Sequence, residues 1–121
     1  MILADTTIWI DHLARGDADL AQLLESELVI GHPFVTAEIA LGSLSNPAEI
    51  IALFEALPQA QTATQSELMG LISSERLGGV GIGFVDTHLL AACRLAGALL
   101  WTRDKRLRVQ AERLGLAWNP G

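Results

Sequence analysis

Four acids carry the chemistry open to this sequence: Asp5, Glu38, Asp86 and Asp104. Ile2-Leu3-Ala4 runs straight into Asp5-Thr6-Thr7, and Leu99-Leu100-Trp101-Thr102 leads to Asp104. Asp86 opens a helical pattern beginning Phe84-Val85, while Glu38 interrupts the otherwise apolar run Phe34 to Leu41. Each position also has an ordinary use. Asp5 or Thr6 serves as a helix cap, Asp86 complements a helix dipole, and Glu38 fits a solvent edge. Chemistry is favoured by recurrence. In a parallel α/β order, the carboxyl ends of the strands and the starts of the following helices share one edge, the edge where ligands bind.

Carboxylates gathered there repel, each close pair by about 4 kcal/mol at roughly 4 Å and an effective dielectric near 20. Against a domain stability of about 5 to 15 kcal/mol, that repulsion requires compensation. No lysine or arginine in the first ninety residues is placed to supply it, so a divalent cation is the natural counter-ion. Oxygen-only ligands favour Mg²⁺ or Mn²⁺ over zinc. A carboxylate-held ion that keeps water ligands suits phosphoryl chemistry.

The elements that must position these acids follow from pattern. Strands are expected at residues 2–4, 28–30, 60–63, 98–102 and 116–118. Helices are expected at 7–13, 17–27 with Asp17 as cap, 34–44 after Pro33, 46–57 opened by Asn46-Pro47, 64–77, 84–96 closed by Gly97, and 104–114. The alternation gives an α/β domain with a central, mostly parallel sheet of about four or five short strands and helices on both faces. The glycines at 78, 79, 81 and 83 resemble a dinucleotide loop, but Phe84 takes the place of the last glycine of GxGxxG and a helix precedes them. A Rossmann reading is therefore rejected.

Composition narrows the class. The chain of 121 residues is expected to form one domain, residues 1–121, with a single core. Half of it is hydrophobic and its mean hydropathy is +0.37, so some apolar surface is expected to meet a partner, most simply a second copy. Its apolar runs fall short of the ~20 residues of a membrane helix, and no basic residue precedes an apolar core at the start. A cytoplasmic location is expected. The lone Cys93 can form no internal disulfide, and His12, His32 and His88 lack zinc spacing. The net charge of −6 argues against nucleic acid. Yet Arg103, Lys105, Arg106 and Arg108, half of the eight basic residues, surround Asp104. They form either a solvated helix face or a local phosphate contact.

Taken together, Asp5-Thr6-Thr7 after a first strand, Glu38 in the third helix, Gly81-Ile82-Gly83-Phe84-Val85-Asp86 with Leu89-Leu90-Ala91-Ala92, and Leu100-Trp101-Thr102-Arg103-Asp104 resemble the PIN-domain ribonucleases. Within these, the chain resembles the VapC-type toxins of bacterial toxin-antitoxin pairs along essentially its whole length. The resemblance implies a PIN-like three-layer domain and an Mg²⁺- or Mn²⁺-dependent endoribonuclease. It makes Asp5 and Asp86 the most direct metal ligands and Asp104 a further ligand or outer acid. Glu38 would orient or deprotonate the attacking water, with Thr7 or Thr102 positioning the carboxylates. Arg103, Lys105 and Arg106 are the candidate RNA contacts. It further implies a homodimer and an antitoxin whose C-terminal segment enters the acidic pocket, often with an arginine. Some family members carry another acid just after the fourth. Here Lys105-Arg106-Leu107 follow, which leaves one or two ions open.

Two other readings compete. A catalytically silent PIN-fold module would keep an antitoxin-like partner without turnover. An aspartyl phosphatase or phospho-acceptor domain also ends its first strand in aspartate, but Thr7 stands where the common phosphatase pattern has a second one.

Overall fold

The computed structural model describes Met1–Gly121. Three short strands form its sheet: β1 (Ile2–Ala4), β2 (Val29–Ile30) and β3 (Leu99–Trp101). All three residues of β1 are buried, as a continuous apolar run predicts for a strand covered on both faces. Seven helices complete the chain: α1 (Thr6–Arg15), α2 (Ala18–Glu25), α3 (Pro33–Ala40), α4 (Pro47–Ala56), α5 (Gln65–Ser74), α6 (Phe84–Ala96) and α7 (Lys105–Arg113). The strand order is β2-β1-β3 and every pairing is parallel, with Ile2 opposite both Val29 and Leu99.

The sheet is smaller than the sequence suggests. The strands expected at 60–63 and 116–118 shrink to isolated parallel bridges, Gly31 with Gln59 and Leu100 with Ala117. In the first, the Gly31 amide donates to Pro58 O and the Ala60 amide to Gly31 O, both at 2.7 Å. In the second, the Leu100 amide donates to Leu116 O at 2.6 Å and the Trp118 amide to Leu100 O at 2.9 Å. Neither segment has room to extend. His32 and Pro33 turn the chain into α3 directly after Gly31, and Asn119-Pro120 removes a donor just past Trp118.

This topology fixes where a site belongs. The connection leaving β1 runs toward β2, whereas the one leaving β3 runs the other way, to the Ala117 bridge. Neighbouring parallel strands whose connections diverge leave a crevice outside their carboxyl ends. Asp5 follows β1 there, and Thr102 follows β3.

One cluster of 26 buried hydrophobic residues runs from Ile2 to Leu116. α1 packs on β1 and α3, α3 on α4, α5 on α6, and α6 on β3. Trp9 meets Phe54 at 4.4 Å between ring centroids, tying α1 to α4. No helix is long and apolar enough to cross a membrane.

Helix ends differ modestly from expectation. α2 stops at Glu25 and α5 at Ser74 because Glu27 and Arg76 adopt positive φ, 57° and 54°. α3 stops at Ala40 instead of 44 as the chain enters Gly42-Ser43. Asn46 precedes α4 without a capping hydrogen bond, so Pro47 alone marks that start. Gly97 ends α6 at φ 65°, a left-handed residue. Gly97→Ala should therefore destabilise the fold by about 1 kcal/mol. Denaturant unfolding would show that loss while leaving activity at 25 °C unchanged.

Candidate active site

Asp5 is the hub of the crevice and is only 4% exposed. As the cap of α1 it accepts from the Thr7 amide at 3.0 Å and the Ile8 amide at 3.4 Å, and from the Thr7 hydroxyl, all on Oδ1. Its Oδ2 accepts from the Thr102 hydroxyl, 97 residues away. Both threonines pass the connection on. Thr7 Oγ1 accepts from the Arg103 amide and Thr102 Oγ1 from the Asp104 amide, each at 3.0 Å. The loop after β3 is thus tied to the loop after β1 through one carboxylate, and the capping use and the central position of Asp5 are the same fact.

Burial pushes the Asp5 carboxyl above its ordinary range, while hydrogen bonds from Thr102, Thr7 and the Ile8 amide oppose the rise. Thr102→Val removes the strongest of these opposing donors. The Asp5 carboxyl should then titrate still higher, and the acid limb of the pH–rate profile should move to higher pH, at a stability cost of about 1 to 3 kcal/mol.

The other acids surround it. Asp104 caps α7, its Oδ1 accepting from the Leu107 amide at 3.0 Å, and it is exposed. Asp86 sits in the first turn of α6, half-buried, with Oδ2 3.5 Å from the Gly83 amide nitrogen. Its carboxyl is raised, first by burial and then by the negative charges of Asp104, Asp5 and Glu38. Asp104, Asp5 and Glu38 thus each lie near enough to Asp86 to act on it. Glu38 is exposed and its Oε1 accepts from the Thr6 hydroxyl at 2.7 Å. Thr6 was not among the expected site residues. Its signal was its place beside Asp5 in the Asp-Thr-Thr run, but its partner lies 32 residues away. No group of three His, Cys, Asp or Glu side chains is already arranged to hold a metal ion.

The basic residues divide. Arg103 donates from one guanidinium nitrogen to Asp11 Oδ2 at 2.8 Å and from another to Asp17 Oδ2 at 2.6 Å, and it lies 5.5 Å from the Trp101 ring centroid. It latches the loop after β3 onto α1 and the start of α2. Lys105 and Arg106 are exposed in the first turn of α7. Arg106 rests against Gly81, where a Cβ would come within 3.0 Å of its Cδ and where φ is +87°. His32 caps α3, accepting from the Phe34 amide at 2.9 Å through Nδ1. Burial pushes His32 down to about 4, so it is neutral at pH 7 and gives the acids no counter-charge. Cys93 is buried and its thiol is pushed up to about 12, so it is no nucleophile.

No family model matches the chain. It is 42% identical over 118 residues, 97% of its own length and 95% of the relative's, to Ribonuclease VapC32 of Mycobacterium tuberculosis strain CDC 1551 / Oshkosh. The same values hold for Ribonuclease VapC32 of strain ATCC 25618 / H37Rv. This chain belongs to the VapC ribonuclease family. The match covers all but a few residues of the chain.

Proposed function

We propose that this VapC-family chain is an endoribonuclease that hydrolyses RNA phosphodiester bonds at the acid-lined crevice, and that it acts as the toxin of a toxin-antitoxin pair. The observation that carries the reading is the convergence of four acids outside β1 and β3: Thr6, beside Asp5, holds Glu38, Thr102 joins Asp5 to the Asp104 amide, and the charges of Asp104, Asp5 and Glu38 add to burial in raising Asp86.

The donor set fits a bound Mg²⁺, with Mn²⁺ as its substitute: it is all oxygen, and its nearest histidines are neutral. Asp5, Asp86 and Asp104 would hold the ion, after rotation of the more exposed side chains. When bound, it supplies positive charge to the phosphate and lowers the pKa of water. Asp5 is fixed by its four donors and sets the position of the rest. Thr7 and Thr102 hold it in place. Glu38, aimed by Thr6 and open to solvent, takes the proton of the attacking water as that oxygen adds to phosphorus and the bond to the leaving oxygen breaks. Lys105 and Arg106 are free to meet the RNA backbone, whereas Arg103 would do so only by giving up its pairs with Asp11 and Asp17.

The same reading gives a single PIN-like three-layer domain over residues 1–121, in the cytoplasm, assembled as a homodimer. The core running from Ile2 to Leu116 supports one domain. An apolar groove of about 380 Å³ between α1, α3 and α4, lined by Ile10, Leu13, Ile39 and Ile50, reaches Glu38 and supports docking of an antitoxin segment beside the acids.

Expression in a bacterial host tests the whole reading. Wild-type chain should arrest growth and generate new RNA ends, and Asp86→Asn should do neither. Wild-type chain that accumulates folded, with neither arrest nor new ends, would favour the silent binding module.

A further inference from the structure

Thr102, Arg103 and Asp104 are consecutive, and the outer two serve the crevice. The Thr102 hydroxyl donates to Asp5 Oδ2, and Asp104 is fixed through its amide to Thr102 Oγ1 and through its carboxylate to the start of α7. The middle residue is held separately. Its amide donates to Thr7 Oγ1 at 3.0 Å, and its guanidinium donates to Asp11 Oδ2 at 2.8 Å. Thr7 and Asp11 stand four residues apart in α1, on one face of that helix. Backbone and side chain of Arg103 are therefore fastened to the same helix face one turn apart. Another guanidinium nitrogen reaches Asp17 Oδ2 at 2.6 Å, at the cap of α2.

The surroundings hold the guanidinium in one pose. The Asp17 side chain is only 14% exposed, and its other oxygen is committed to the Leu20 amide. The ring of buried Trp101 lies 5.5 Å from the guanidinium carbon. A planar fork that meets two carboxylates beside an indole has few ways to do so. Exposed ion pairs add little to stability, so this contact matters through what it aligns. The Thr102 and Thr7 links both run through the Asp5 carboxylate, whereas the guanidinium is anchored independently of it. One anchor lets a loop pivot, and a second stops it.

Resting on the ribonuclease reading, we propose that Arg103 is a positioning residue for the reaction: it stays on Asp11 and Asp17 while RNA is bound, and it fixes Asp104 relative to Asp5. Its charge is spent on these carboxylates and does not meet the RNA backbone. Loss of the second anchor leaves the fold and the RNA contacts in place but lets Asp104 drift from the reacting geometry, so it slows turnover without weakening binding.

The test measures kcat and KM separately on an oligoribonucleotide carrying a cut site mapped from a mixed RNA pool. Wild type is compared with Arg103→Gln, Arg103→Lys and the double variant Asp11→Asn/Asp17→Asn. Asn at 17 keeps an oxygen for the Leu20 amide, so the α2 cap persists. All three variants should lose about 10-fold in kcat with KM unchanged. Arg103→Lys belongs with them because an ammonium keeps the charge but not the fork. An RNA-contacting Arg103 gives a different pattern: KM raised in Arg103→Gln, restored in Arg103→Lys, and lowered in the double variant, which frees the guanidinium. That pattern, or wild-type kcat in Arg103→Gln, would overturn the proposal. A second readout is independent of cleavage. In metal-free protein, the Arg103 and Asp104 amides should lose hydrogen-exchange protection in Arg103→Gln while the β1 amides keep theirs. Wild-type protection at both loop amides would overturn the anchor. A wild-type protein that cuts no RNA in the pool with Mg²⁺ or Mn²⁺ would instead overturn the ribonuclease reading, and the exchange result would still report on the anchor.

Discussion

Asp5→Asn should lower RNA cleavage by more than about 100-fold and, in the same protein, raise the stability of the metal-free fold. Outer partners of metal ligands commonly account for about 10- to 100-fold in affinity or activity, and loss of a ligand's charge should exceed that. The substitution is nearly isosteric. Its carbonyl oxygen can keep the amide bonds from Thr7 and Ile8 that cap α1, and the Thr102 hydroxyl can turn to accept from the new NH₂. The stability gain follows from the sign of the Asp5 shift. Its folded carboxyl is raised above the ordinary 3.8, so the folded state favours the protonated form. That contribution is fully present below the unfolded value and is lost as pH rises through the raised folded one. At neutral pH the wild type holds a buried anion that Asn lacks. Thermal melts should therefore place Asp5→Asn above wild type at pH 7, with the gap closing as pH falls from the raised folded value to the ordinary 3.8. A site that costs the fold stability is ordinary for catalysis.

The second large effect is stabilisation by metal. With four acids at one edge and Asp86 raised by burial and then by the charges of the other three, a divalent ion relieves repulsion only in the folded state. At about 100 times its Kd, such a ligand adds about 2.7 kcal/mol. For a domain of this size, that corresponds to a rise in Tm on the order of 10 °C. Titrating Mg²⁺ or Mn²⁺ into metal-free protein should show it, and EDTA should reverse it. Asp86→Asn should abolish most of the shift. The shift should also weaken as pH falls and the raised carboxyls of Asp5 and Asp86 take up protons, because the ion binds only their ionised forms.

Much of this edge was legible from local pattern. Asp5 and Asp104 each follow an apolar strand and open a helix, so strand tip, cap and acid coincide within a few residues. Asp86 in a first turn is equally local. The expected capping by Asp17 is present for the same reason, its Oδ1 accepting from the Leu20 amide. What local pattern could not supply are pairs made across the chain. Thr6 meets Glu38 over 32 residues, and Arg103 meets Asp11 and Asp17 over 92 and 86. No spacing rule distinguishes an arginine held by distant carboxylates from one open to RNA. The strand expected at 60–63 failed for a related reason. An extended segment becomes a strand only where a neighbour offers consecutive free groups, and beyond Gly31 the chain has already turned into α3.

Cleavage of a mixed RNA pool by purified protein tests the central claim most directly. Wild type is incubated with Mg²⁺, with Mn²⁺ and with EDTA, beside Asp5→Asn and Asp86→Asn. Cutting that requires either ion and disappears in both variants is the expected result. Cutting that survives EDTA, or that survives Asp86→Asn at wild-type rate, would show that the four acids are not the centre of the reaction.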